Sequence, residues 1–191
     1  MIAGASMARV RLNTTSDLPE DQRSLFERME ARGSLLNIFR VLSHSPEAMR
    51  RFMRLGSYFL EDGKLDPAHR ELAILRAGAV CRSPYEFGQH IAFGRRSGLS
   101  DEQIKATLGG DASALDPQQR AVLAFAGELS ERARVSDVTF EEVSGFLDEE
   151  QVVELTFVVG FYNMVSRLLN ALAVDVDAPA QRDLDELSVD L

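Results

Sequence analysis

Apolar residues recur at three- and four-residue steps along most of the chain, the spacing that gives a helix one buried stripe. Over 49–60, Met49, Phe52, Met53, Leu55, Gly56, Tyr58 and Phe59 hold that spacing. The run at 72–80 (LAILRAGAV) is apolar nearly all round, which marks a central buried helix. A short strand is the rival reading of that run. The Asp66-Pro67 start and the helix-forming Glu71-Leu72-Ala73 favour helix. The segments 122–129 and 152–172 are helical in pattern too, and neither an alternating strand nor an Asn-Gly hairpin signal stands out. The pattern predicts an all-α fold of about eight helices.

Helix-start chemistry punctuates this pattern. Ser45-Pro46, Asp66-Pro67, Ser83-Pro84 and Asp116-Pro117 each pair a capping oxygen with a proline that gives up no hydrogen bond in the first turn. Ser100 with Gln103, and Asp148 with Gln151, have capping-box spacing. The marks divide the chain into a flexible N-terminus at 1–16, one all-α domain over 17–174, and an acidic C-terminal tail at 175–191. In that tail Leu184, Leu187 and Leu191 offer a last amphipathic turn, but the composition favours a solvated segment. The repeated Leu65-Asp-Pro and Leu115-Asp-Pro, echoed at Leu147-Asp148, read either as an internal duplication or simply as good helix starts.

Composition narrows the function. A chain of 191 residues buries roughly 70% of its unfolded surface, so it needs no disulfide or metal to hold it. With 21 Lys and Arg against 30 Asp and Glu, the net charge of −9 argues against a nucleic-acid surface. Cys81 is the one cysteine, so no intrachain disulfide forms and a reducing compartment is the default. The first residues are short, mixed and polar, unlike a secretory signal. The apolar stretch 152–174 carries Glu154, Asn163, Arg167 and Asn170, which suits a buried helix better than a membrane span. A soluble, cytoplasmic protein with no membrane or nucleic-acid partner is expected.

The candidate chemistry lies between Arg70 and His90. On a helix beginning at Pro84, Glu86 and His90 stand four residues apart on one face. A carboxylate beside an imidazole orients it and raises its pKa, giving a pair that exchanges protons near neutral pH. Glu71, on the preceding helix, supplies a second carboxylate if the two helices pack antiparallel across Arg82-Ser83. The plainer reading makes Glu86 the Glu of a Ser83-x-x-Glu86 capping box, and Glu71 a surface residue near a helix start. His44 and His69 read as capping or surface groups. No clustered Cys/His spacing points to a metal, and no glycine-rich loop to a nucleotide, so neither metal nor cofactor is expected. Cys81 stands as a small core residue or a reactive thiol.

These residues resemble the carboxymuconolactone decarboxylase-like (alkylhydroperoxidase D-like) family. The pattern R-E-L-x-I-L-R, Y-E-x-x-x-H and G-L-S-D-E-x-I stands at 70–76, 85–90 and 98–104, flanked by similarity at Leu36-Asn37-Ile38-Phe39-Arg40, Ser45-Pro46 and 147–172, including Phe161-Tyr162-Asn163-Met164. The resemblance implies an all-α fold, a homo-oligomer (dimer, trimer or hexamer) and sites in helical clefts. The peroxidase branch of the family uses Cys-x-x-Cys-x-x-x-His with an upstream glutamate. Here His90 and Glu71 match that histidine and glutamate, while the two cysteine positions are Ser83 and Glu86. Neither replacement can form the thiolate or the disulfide, so disulfide-cycling peroxidase activity is not expected.

The decarboxylase branch is closer. It implies His90 as proton donor or shuttle, Glu86 as its orienting partner or base, Glu71 as a relay and Tyr85 as a hydroxyl donor. An anionic substrate also wants a cation, and Arg70, Arg76, Arg82 and Arg167 are the candidates. Three functions follow from different classes. They are a cofactor-free acid–base enzyme (a lyase, carboxy-lyase-like, or an isomerase) on a small organic acid or lactone, a peroxidase using Cys81 with an external thiol, and a non-enzymatic oligomeric binding protein.

Overall fold

The computed structural model describes residues 7–191, and among them the chain forms ten α-helices and no strand. In order these are α1 (Glu20–Ala31), α2 (Asn37–Leu42), α3 (Pro46–Ser57), α4 (Pro67–Val80), α5 (Pro84–Arg96), α6 (Asp101–Ala106), α7 (Pro117–Arg132), α8 (Asp137–Ser144), α9 (Glu149–Leu172) and α10 (Ala178–Leu187). A 3-10 turn at Thr15–Asp17 precedes α1, and a π-helical turn at Tyr58–Asp62 continues α3. The two helices beyond the expected eight or so are the six-residue α2 and α6, too short for a hydrophobic period to reveal.

The starts obey local chemistry. The Asp66 carboxylate accepts from the amides of Ala68 and His69, with Pro67 in the first turn of α4. Capping boxes close at Ser100–Gln103, Asp116–Gln119 and Asp148–Gln151. Each repeated Leu-Asp buries its leucine (Leu65, Leu115, Leu147) just ahead of the capping aspartate. Each copy of the repeat thus sits at a helix start.

α4 is the central helix, with Leu72, Ala73, Ile74, Leu75 and Ala77 fully buried among α5, α7 and α9. A Cβ on Gly78 would lie 3.3 Å from the Phe87 amide nitrogen. That hydrogen-only surface lets α5 fold back closely on α4 after the turn at Arg82 (φ 49°), bringing their inner faces together. α9 is long and apolar enough to cross a membrane by length and composition. In this fold it is a core helix whose buried Glu154 and Asn163 find hydrogen-bond partners inside.

Where the structure describes them, the two expected loose ends are held in place. The acidic tail forms α10, which docks on α5 through buried Ala180, Leu184 and Leu187. A Cβ on Gly88 would come 3.0 Å from Leu184 Cδ1 and 3.1 Å from the Ala180 carbonyl oxygen, so glycine lets α10 lie close. Part of the tail's acidity is matched rather than solvated, since Arg95 pairs with Asp183 at 2.8 Å and Glu186 at 3.6 Å. At the other end, the part of the flexible segment at 1–6 lies outside the described residues. Residues 7–16 are tied down instead: the Arg9 amide donates to the Leu172 carbonyl at 2.8 Å, and Asn13 Nδ2 to Ser43 Oγ at 2.9 Å. Their long-range bonds carry no periodic signal.

Candidate active site

The antiparallel α4–α5 pair brings Glu71, Glu86 and His90 together. His90 Nδ1–H donates to Glu71 Oε2 at 2.7 Å, and His90 Nε2 lies 3.2 Å from Glu86 Oε1. Arg70 Nε donates to the other oxygen of Glu71 at 3.0 Å. The four groups make a row, Arg70–Glu71–His90–Glu86, and all four are buried. Burial by itself pulls the imidazole pKa down, but the charge and hydrogen bond of Glu71, then those of Glu86, overcome it and push His90 up to about 9. His90 is therefore an imidazolium at neutral pH, with both ring N–H groups facing carboxylates.

The capping reading of Glu86 separates into two parts. Ser83 Oγ does accept from the Glu86 backbone amide at 3.4 Å. The Glu86 carboxylate turns instead to His90 and lines a cavity of about 530 Å³. That size falls in the usual range for small-molecule sites, about 300–1,000 Å³. Its wall is largely apolar and includes the rings of Phe39, Phe52, Phe93 and Phe161. Phe93 stacks on His90 at 5.1 Å, and Tyr162 stands edge-on to it at 4.9 Å. Glu71 is fully buried behind the imidazole, and Arg70, Glu71 and Cys81 do not line this cavity.

Other sequence candidates take different places. The Tyr85 side chain touches the cavity, but its hydroxyl donates to Asp177 and accepts from the Ile38 amide at 3.0 Å, pinning α2 and the α10 start onto α5. Burial and the Asp177 charge push that phenol far above its ordinary pKa. Cys81 is half-buried, its thiol 3.3 Å from Asn163 Oδ1, and burial pushes its pKa up despite Arg167 and Ser166 nearby. A raised pKa means less thiolate, the opposite of what a peroxidatic cysteine needs. Among the suggested cations, Arg70 is held by Glu71 and Arg76 by Glu131 and the Thr107 carbonyl. Arg82 and Arg167 are exposed, and none of the four lines the cavity.

The cations at the cavity are Arg28, in the last turn of α1, and Arg32, which caps its end, both exposed and in no ion pair among the described residues; the carboxylate of Glu61 shares that rim. Sequence reasoning missed both because nothing local links α1 to the α4–α5 motif. Their i,i+4 spacing was the one available sign. Tyr162 was legible only as part of a resemblance. Among the described residues no group of three or more His, Cys, Asp or Glu is arranged to hold a metal; the two carboxylates flank opposite nitrogens of His90, which keeps them from sharing an ion.

Comparison with known proteins follows the same lines. Residues 46–128 match the model of the carboxymuconolactone decarboxylase family. A solved structure described as an alkylhydroperoxidase AhpD core, an uncharacterized peroxidase-related protein from Ralstonia eutropha JMP134, is similar over 91% of this chain and 94% of its own, with TM-score 0.79 and 22% identity. A peroxidase-related protein from Silicibacter sp. TM1040 is similar over 90% and 92%, with TM-score 0.79 and 20% identity. The debrominase Bmp8, as a cysteine-to-alanine variant in complex with 2,3,4-tribromopyrrole, is similar over 95% and 99%, with TM-score 0.78 and 22% identity. At those identities the likeness is one of fold. No curated protein matches the chain.

Proposed function

We propose, from the site's geometry and the match of residues 46–128 to the carboxymuconolactone decarboxylase family model, that the chain is a cofactor-free acid–base enzyme, a lyase or isomerase acting on a small organic acid or lactone. The observation that carries this reading is the Glu86 carboxylate and the His90 imidazolium, 3.2 Å apart, both lining one largely apolar cavity. Glu86 is the group that meets substrate and takes or returns a proton at carbon. His90 holds Glu86 in place, and Glu71, braced by Arg70, keeps His90 charged and oriented. Arg28 and Arg32 at the rim supply counter-charge for a substrate carboxylate. In the lyase version the C–CO₂ bond breaks, its electron pair stays on the carbon framework, and a proton delivered through Glu86 ends on that carbon.

A screen of lactones, keto acids and alkyl hydroperoxides tests the reading. Glu86→Gln should lower turnover of the responding acid or lactone roughly 100- to 10,000-fold, the usual worth of a positioned acid–base group, while Cys81→Ser leaves it intact. Hydroperoxide reduction that Cys81→Ser abolishes and Glu86→Gln spares would sink it in favour of a thiol peroxidase.

A homo-oligomer in the cytoplasm belongs to the same proposal. On the outer face of α9, Val153, Phe157, Gly160 and Met164 fall at alternating four- and three-residue steps, with Val153 and Phe157 each 57% exposed and Leu55 and Tyr58 beside them. That spacing forms a seam suited to a second helix. Sedimentation should show Phe157→Glu shifting the protein toward monomer, and an unchanged mass would remove α9 from the interface.

A further inference from the structure

Tyr162 is a buried phenol with no hydrogen-bond partner among the described residues, set against the imidazolium of the site. A sealed, unpaired hydroxyl would cost about 1–3 kcal/mol. The sealed unpartnered side-chain atoms of the described residues lie elsewhere, at Asn13, Thr15, Gln22, His69 and Ser166. Tyr162 lines the cavity, and its hydroxyl is not among those sealed atoms. Burial, then the charges of Glu86 and Glu71, hold its pKa well above the ordinary phenol value. Such a phenol keeps its proton and serves as a donor. The other tyrosine at the cavity cannot fill that place, because the Tyr85 hydroxyl is bound to Asp177 and the Ile38 amide.

We infer that Tyr162 is a catalytic residue that donates a hydrogen bond to a carbonyl oxygen of the substrate while Glu86 works on the neighbouring carbon. The inference rests on the acid–base reading above and names the substrate class within it: a carbonyl compound that reacts through an enolate. Glu86 takes the proton as the C–H bond breaks. That electron pair forms the new C=C bond, and the carbonyl π pair moves to oxygen. The resulting oxyanion is held by the Tyr162 O–H, which is not itself deprotonated. The proton then returns to the same carbon or a conjugated one. In a decarboxylation the C–CO₂ pair follows the same path to oxygen.

Tyr162→Phe keeps the ring against His90 and removes only the donor. Two readouts separate the possible failures. In D₂O, wild type should exchange the methylene protons of phenylpyruvate, an aromatic keto acid probe. The Phe variant should be slower by roughly 100-fold in kcat, the usual effect of removing one oxyanion donor, with KM within about twofold. In infrared spectra, the carbonyl band of bound acetophenone should lie lower in wild type than in Tyr162→Phe. Equal bands in the two proteins, or no bound band, overturn the role of Tyr162. If the bands are equal while exchange still depends on Glu86, the acid–base reading survives alone. A wild-type-only band shift without any exchange keeps Tyr162 as a carbonyl donor and sinks the acid–base reading.

Discussion

Glu154 and Glu86 are both carboxylates inside the fold, 4% and 5% exposed, and their surroundings differ. Glu154 on α9 accepts from the backbone amides of Lys64 at 2.7 Å and Leu65 at 3.4 Å, fastening the loop before α4. Gly63 leaves it room, since a Cβ there would fall 2.1 Å from Glu154 Oε1. Glu86 meets one charged partner, His90, and otherwise opens on the cavity. A carboxylate saturated by fixed amides braces the chain, whereas one left open beside an imidazolium can react. Burial alone does not tell them apart; what lies on the far side of the carboxylate does.

The contrast can be broken from either side. The largest effect is expected from pH. His90 has a folded pKa of about 9 against an ordinary value of 6.5, so its contribution to stability is fully present below about 6.5 and lost as pH rises through about 9. That loss is on the order of 3 kcal/mol. Urea unfolding at pH 6 and pH 9.5 should show the drop, and His90→Gln should flatten it; a slope unchanged by the substitution would break the assignment.

A smaller effect is expected from Gly63→Ala, which forces Glu154 off its amides at about 1–3 kcal/mol. Thermal melts should show the loss while turnover per folded molecule is unchanged. Smallest of all, Cys81→Ser should shift stability by less than about 1 kcal/mol, because a hydroxyl can replace the thiol toward Asn163. A larger loss, read in the same melts, would give Cys81 a structural weight its half-buried place does not suggest.

How much of this was legible depended on how local the signal was. Asp66-Pro67, Ser83-Pro84 and Asp116-Pro117 announce their helices because the capping contacts span three residues. Glu86 and His90 were readable as a pair for the same reason, being one helical turn apart. That Glu71 joins them depends on the close α4–α5 crossing at Gly78 and Phe87, a contact with no local mark. The C-terminal segment was misjudged because its average composition is acidic, while Ala180, Leu184 and Leu187 share one buried face. Sequence proximity also misled the choice of cations. Arg70, Arg76 and Arg82 lie near the motif in the chain, but the rim of the cavity draws Arg28 and Arg32 from the end of α1.

The row Arg70–Glu71–His90–Glu86 has a consequence for timing. At rest its signs alternate and cancel, so the interior holds four ions without a surplus, where a lone ion would cost several kcal/mol. When Glu86 accepts a proton, the row becomes one unit positive just as the substrate gains one unit of negative charge. The surplus exists only during that interval and faces the new anion; returning the proton erases both together.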